Sequence, residues 1–103
     1  MAWERKIIRT VRVRNSQKKG VLARLLTAIA EAGGHTGSLV LVTETSQNIV
    51  RDITISAEDE AHIEVIVEAM RNNEGTRVIE VRDEVLELHQ KGKIAIRSRY
   101  PID

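Results

Sequence analysis

Apolar and polar residues alternate through KIIRTVRVR, residues 6–14. Ile7, Val11 and Val13 fall on one face and Thr10, Arg12 and Arg14 on the other, the period of a strand with one wet side. The period then lengthens. In GVLARLLTAIAEA, residues 20–32, Val21, Leu22, Leu25, Leu26 and Ile29 form one helical stripe, and Gly33 follows as a stop. SLVLVTET at 38–45 and NIVRDITIS at 48–56 are rich in β-branched residues and flank a short polar turn, which predicts a hairpin. In the second of these runs Ile49, Ile53 and Ile55 share a face opposite Asp52 and Thr54. Residues 58–71 read as a second helix, with Ser56 as the expected N-cap and a stripe of Ile63, Ile66, Val67 and Met70. TRVIEVR at 76–82 alternates again, which sets Ile79 and Val81 against Val78, Glu80 and Arg82.

The order is therefore β-α-β-β-α-β. One-sided strands and one-sided helices bury their apolar faces only by forming two layers. The class is α+β: a four-stranded antiparallel sheet with both helices on one face, and the right-handed crossover rule selects the ferredoxin-like arrangement. This unit is expected over 6–83. Residues 84–103 read as an extension, with a short helix, a stop at Gly92 and a strand near 93–97, and look like a linker into a domain that is not present.

Composition narrows the function. The 103 residues contain no cysteine, which excludes disulfides, thiolate metal sites and cysteine nucleophiles. Net charge is +1, so no long-range field draws the chain to nucleic acid or an anionic membrane, although residues 4–19 are locally basic. No run has the roughly 18–20 apolar residues of a membrane span, and the opening MAWERKII lacks a signal-peptide core. A cytoplasmic protein is the expectation.

No catalytic constellation emerges. The glycines of GVLARL and GGHTGS fit neither a P-loop nor a dinucleotide fingerprint. GGHTG follows a helix, so its simplest role is a cap and turn, whereas Gly20 opens a helix, where backbone N–H groups can meet a carboxylate. His35, His62 and His89 lack metal-ligand spacing; His62 is expected on the solvated side of the second helix and His89 beside Val85 and Leu88. No serine sits in a G-x-S-x-G elbow, and Glu58, Asp59, Glu60 and Glu64 read as a solvated helix face. The sheet has no aromatic for base stacking, because Trp3 and Tyr100 are the only aromatics and lie outside the strands. The first loop offers Lys18 and Lys19 rather than the arginine of acylphosphatase-like enzymes.

GVLARLLTAIAEAGGHTGSLVLV resembles the ACT-domain signature, and the element order agrees with it. RDEVLELHQKGKIAIRSRYPID resembles the opening of the catalytic region of bacterial malic enzymes, some of which carry a preceding ACT domain. The resemblance implies a non-catalytic regulatory segment of an NAD(P)-dependent malic enzyme. It needs no cofactor itself, since NAD(P) and a divalent metal belong to the missing catalytic part. It implies a homodimer or higher homo-oligomer built through sheet edges and helices, no nucleic-acid or membrane partner, and a small-molecule effector, an amino acid or organic acid, at the interface. By position the pocket comprises Asn15, Ser16, Gln17, Lys18, Lys19, Gly20, Val21 and Leu22 of one subunit with Gly34, His35 and Thr36 at the second strand. The family's usual Asp/Asn-x-Pro-Gly loop is here Gln17-Lys18-Lys19-Gly20, and the two lysines favour an anionic ligand over a neutral amino acid. A nucleotide and a purely structural oligomerisation role are the alternatives.

Overall fold

The structure, a computed structural model, describes residues 6–83. The expected helix and strand within 84–103 lie outside the described residues. The elements run β1 (Ile7–Ser16), α1 (Val21–Glu31), β2 (His35–Glu44), β3 (Asn48–Ala57), α2 (Glu60–Arg71) and β4 (Thr76–Arg82). The sheet order is β2-β3-β1-β4, antiparallel throughout. This is the α+β, ferredoxin-like βαββαβ arrangement that the alternating periods predict.

The core forms where the one-sided faces meet. Val11 and Val13 of β1 and Ile53, Ile55 and Ala57 of β3 point to the helices, and Leu25, Ile29, Ile63, Ile66, Val67 and Met70 close over them. Burying one such side chain is worth about 1.5–3 kcal/mol. The α2 stripe read from the sequence is buried in full; in α1, Val21, Leu25 and Ile29 are buried while Leu22 and Leu26 are half-buried at its margin.

The glycines after α1 make a Schellman stop. Gly33 adopts φ +86°, its N–H donates to the Ala30 carbonyl (2.9 Å), and the Gly34 N–H donates to that of Ile29 (3.0 Å). Gly34 has a second role, because a Cβ there would stand 2.6 Å from Ile66 Cδ1 and 3.2 Å from Ile29 Cγ2. It lets β2 leave the helical layer where α1 crosses α2.

Three local expectations are corrected. Ser56 does not cap α2: β3 runs on through Ala57, whose side chain is buried opposite Ile7, and Asp59 is the cap, accepting the His62 N–H at 2.8 Å. In β4 the register shifts between Arg12 and Val13, so Ile79 is an extra residue; Val81 pairs with Val11 and Val78 with Val13, both toward the helices, while Glu80 and Arg82 face the open side. His62 is not on a solvated face. Its Nδ1 accepts the Glu58 N–H (3.0 Å) and its Nε2–H donates to the Ala32 carbonyl (2.8 Å), which ties the start of α2 to the end of α1 and fixes the tautomer.

Candidate functional site

Strand β2 stands at the sheet edge and is exposed at all ten positions. Only β3 bonds it, and neither helix covers it, so Leu39, Val40, Leu41 and Val42 are each 41–57 % exposed. Edge strands that expose a run of aliphatic residues are general templates for strand pairing.

The β1–α1 loop lies beside one end of this edge. Gln17 Nε2 donates to Glu44 Oε2 (3.0 Å) and to the Thr45 carbonyl (3.1 Å), and the Gln17 N–H donates to that of Gln47 (2.9 Å). The loop is therefore pinned to the β2–β3 hairpin. Gly20 takes φ +83°, a left-handed conformation that favours glycine, and caps α1 with no side-chain bond. Lys18 and Lys19 are exposed next to it.

The structure divides the remaining candidates. Asn15 is buried, donating to Thr76 Oγ1 (2.8 Å) and accepting from Arg51 (3.5 Å). Val21 is core, Leu22 packs against the core, and Gly34 is pressed against Ile66. His35 and Thr36 are exposed but lie far from the loop: His35 pairs with Ser56, which pairs with Ile8 at the beginning of β1, whereas the loop follows the end of β1. The length of α1, about 16 Å, separates the two halves within one chain.

On the open face of the sheet, Asp52 is clamped by Arg12 (2.8 and 3.0 Å) and Arg82 (2.8 Å). Burial pushes the Asp52 carboxyl up, but the hydrogen bonds and charges of Arg12 and Arg82 outweigh it and hold it below the ordinary aspartate value. The hydrogen bond to Asp52 in turn raises Arg12. A wide groove of about 900 Å³ lies beside α2, between Val65 and Val81, and its Arg9 is already engaged by Glu60 and Asp83. A smaller polar cavity of about 330 Å³ opens next to Ser16, with Arg14, Asn48 and Arg77 in its wall. Of these four the sequence reading had placed only Ser16 at a site. Strand pairing joins the others: the sequence pattern puts Arg14 on the wet face of β1, whereas strict alternation puts Arg77 with Ile79 and Val81, and only the bulge in β4 brings it opposite Arg14.

No family model matches the chain. The fold is similar to the ACT domain of a GTP pyrophosphokinase from Chlorobium tepidum, with a TM-score of 0.59 at 14 % identity over 76 % of this chain and 97 % of that one. The architecture is thus that of an ACT domain. In sequence the chain is 35 % identical over 97 residues to NAD-dependent malic enzyme 1 of Bacillus subtilis (strain 168), and 29 % identical over 93 residues to the NAD-dependent malic enzyme of Geobacillus stearothermophilus. These matches take in 93 % and 90 % of the chain but only 22 % and 20 % of the two enzymes, so it spans about a fifth of their length. Fold and sequence together support an ACT-like domain related to part of the NAD-dependent malic enzymes.

Proposed function

We propose that the chain is the regulatory module of an NAD-dependent malic enzyme, and that its β2 edge pairs with that of a second copy to complete a binding site for a small anionic effector. The observation that carries this is the bare apolar β2 edge, Leu39–Val42, with the β1–α1 loop fastened at one end of it. A two-fold axis through paired β2 strands runs them antiparallel, so the start of one lies against the end of the other. His35 and Thr36 of one copy then reach the other copy's Gln17–Gly20 loop, which closes the gap that α1 leaves within a single chain. The first-turn N–H groups after Gly20, with Lys18 and Lys19, supply positive potential to an anion there.

The effector acts by binding one arrangement of the pair better than another, with a coupling of about 1–3 kcal/mol to the attached catalytic part. Malate oxidation, NAD(P) and the divalent metal belong to that part, and nothing in residues 6–83 is assigned to them.

Sedimentation of the 103-residue chain, with and without Leu41→Lys, tests the pairing. The parent chain is expected to be a dimer and the variant a folded monomer. Thermal shift against amino acids, dicarboxylates and nucleotides tests the ligand, since about a hundredfold excess over Kd adds roughly 2.7 kcal/mol. A chain that is monomeric at all concentrations overturns the proposal. A dimer with no thermal response to any of them favours pure assembly, which the same exposed edge also supports.

A further inference from the structure

The open face of the sheet is charge-balanced at its middle and unbalanced toward the end of β1. At the middle of β1, Arg12 and Arg82 share Asp52, and Arg82 also meets Glu80 at 3.4 Å. Near the end of β1, Arg14 stands directly across from Arg77 of β4 and, on its other side, from Val50 of β3. Like charges directly opposite in an antiparallel pair destabilise it. Neither guanidinium has a hydrogen-bond or ion-pair partner among the described residues.

The two arginines share one cavity, of about 330 Å³, with Ser16, Asn48, Gly75 and Thr76. Ser16 and Asn48 face each other across β1 and β3, and neither the Ser16 hydroxyl nor the Asn48 side-chain amide bonds to another described residue. Gly75, at φ +84°, keeps this wall open: a Cβ would stand 2.9 Å from Ser16 Oγ. Its carbonyl accepts the Ser16 N–H at 2.9 Å, which holds the α2–β4 turn against β1. Two fork-shaped cations, a hydroxyl and an amide thus converge with no protein acceptor to satisfy them. At roughly 30 Å³ per water the space is that of about ten waters, larger than a bare ion needs.

We propose that this cavity binds a small doubly charged oxyanion, a phosphate group or a dicarboxylate, held between Arg14 and Arg77 with Ser16 and Asn48 donating from the side. Guanidinium matches both in geometry, through paired N–H···O bonds to two oxygens. Two negative charges neutralise the cross-strand repulsion. The site spans β1, β3 and β4 on the open face; it shares Ser16 with the candidate effector loop but does not rest on the pairing proposed above.

Amide NMR titration of the 103-residue chain with inorganic phosphate and with succinate, at constant ionic strength and with chloride as control, tests the site. Saturable shifts are expected at Ser16, Asn48 and Gly75–Arg77. Saturation by phosphate alone identifies a phosphate site, and by succinate alone a dicarboxylate site. Arg14→Gln and Arg77→Gln should each weaken binding about tenfold or more, while Lys18→Gln with Lys19→Gln leaves it in place. In anion-free buffer Arg77→Gln should melt no lower than the parent, because it removes a repulsion. Linear shifts that chloride reproduces, unchanged affinity in both arginine variants, or a lower melting point for Arg77→Gln would each overturn the assignment. A monomer that binds phosphate saturably keeps this site and removes the pairing; a dimer with only linear shifts does the reverse.

Discussion

Replacing Gly34 with alanine tests whether the double glycine after α1 serves packing or a ligand. The new methyl carbon would meet Ile66 Cδ1 at 2.6 Å, Ile66 Cγ1 at 3.2 Å and Ile29 Cγ2 at 3.2 Å. Ile66 and Ile29 are both fully buried, so neither can swing into solvent to make room. Overpacking of this kind costs about 1–3 kcal/mol, and for a domain of this size each kcal/mol lowers the melting temperature by roughly 4–8 °C. Ile66→Val removes the atom in closest contact and by itself costs about 0.5–1.5 kcal/mol. In the double variant the methyl introduced by Gly34→Ala enters the space that Cδ1 vacated. Its destabilisation should therefore fall short of the sum of the single variants by about 1 kcal/mol, a coupling within the range of contacting residues. Urea unfolding of the four proteins, followed by circular dichroism, measures this cycle. Gly37→Ala is the control, because its Cβ would find only ordinary contacts near 3.5 Å to Thr54. Additive single effects, or a Gly34→Ala variant as stable as the parent, would refute the packing account and return Gly34 to the candidate ligand site.

Three further outcomes follow from the same structure. His62→Ala should lower unfolding stability by about 1–2 kcal/mol, since it strips the bond to the Ala32 carbonyl that joins the two helix ends and the local bond from the Glu58 N–H. The folded Asp52 carboxyl lies below its unfolded value of about 3.9, so its contribution is present above that pH and is lost as pH falls through the folded pKa. Denaturation midpoints between pH 2 and 6 should accordingly fall less steeply with acid in Asp52→Asn than in the parent. Leu25→Ala, at a fully buried position of α1, should cost about 2–5 kcal/mol by urea unfolding, whereas Thr27→Ala, exposed on the same helix, should stay within about 0.5 kcal/mol.

The sequence showed most clearly what a single element decides alone. The stripe of Ile63, Ile66, Val67 and Met70 needs only a period of 3.6, and all four are buried. The faces of β4 were misassigned because strict alternation cannot register a bulge, and the extra Ile79 is defined only against β1. Ser56 was a plausible cap by residue type, but β3 keeps it in the sheet because Ala57 is buried beyond it. The environment of His62 depends on where α1 ends, thirty residues earlier. The candidate site behaved likewise. The loop and its glycine were legible, whereas the isolation of His35 from that loop and the meeting of Arg14 with Arg77 come from strand order, which no local pattern encodes.

That strand order also sets where the two ends of the described domain lie. Thr10, three residues after β1 begins at Ile7, is the cross-strand neighbour of Arg82 at the end of β4, so both ends of the described domain lie at the same end of the sheet, offset by roughly 10 Å along β1. A unit tethered at one point transmits little torque through its body. In a larger enzyme it would ride as a pendant, free to turn about a single stem, and would restrain its host only when a second grip, such as a neighbour across the β2 edge, held the far side.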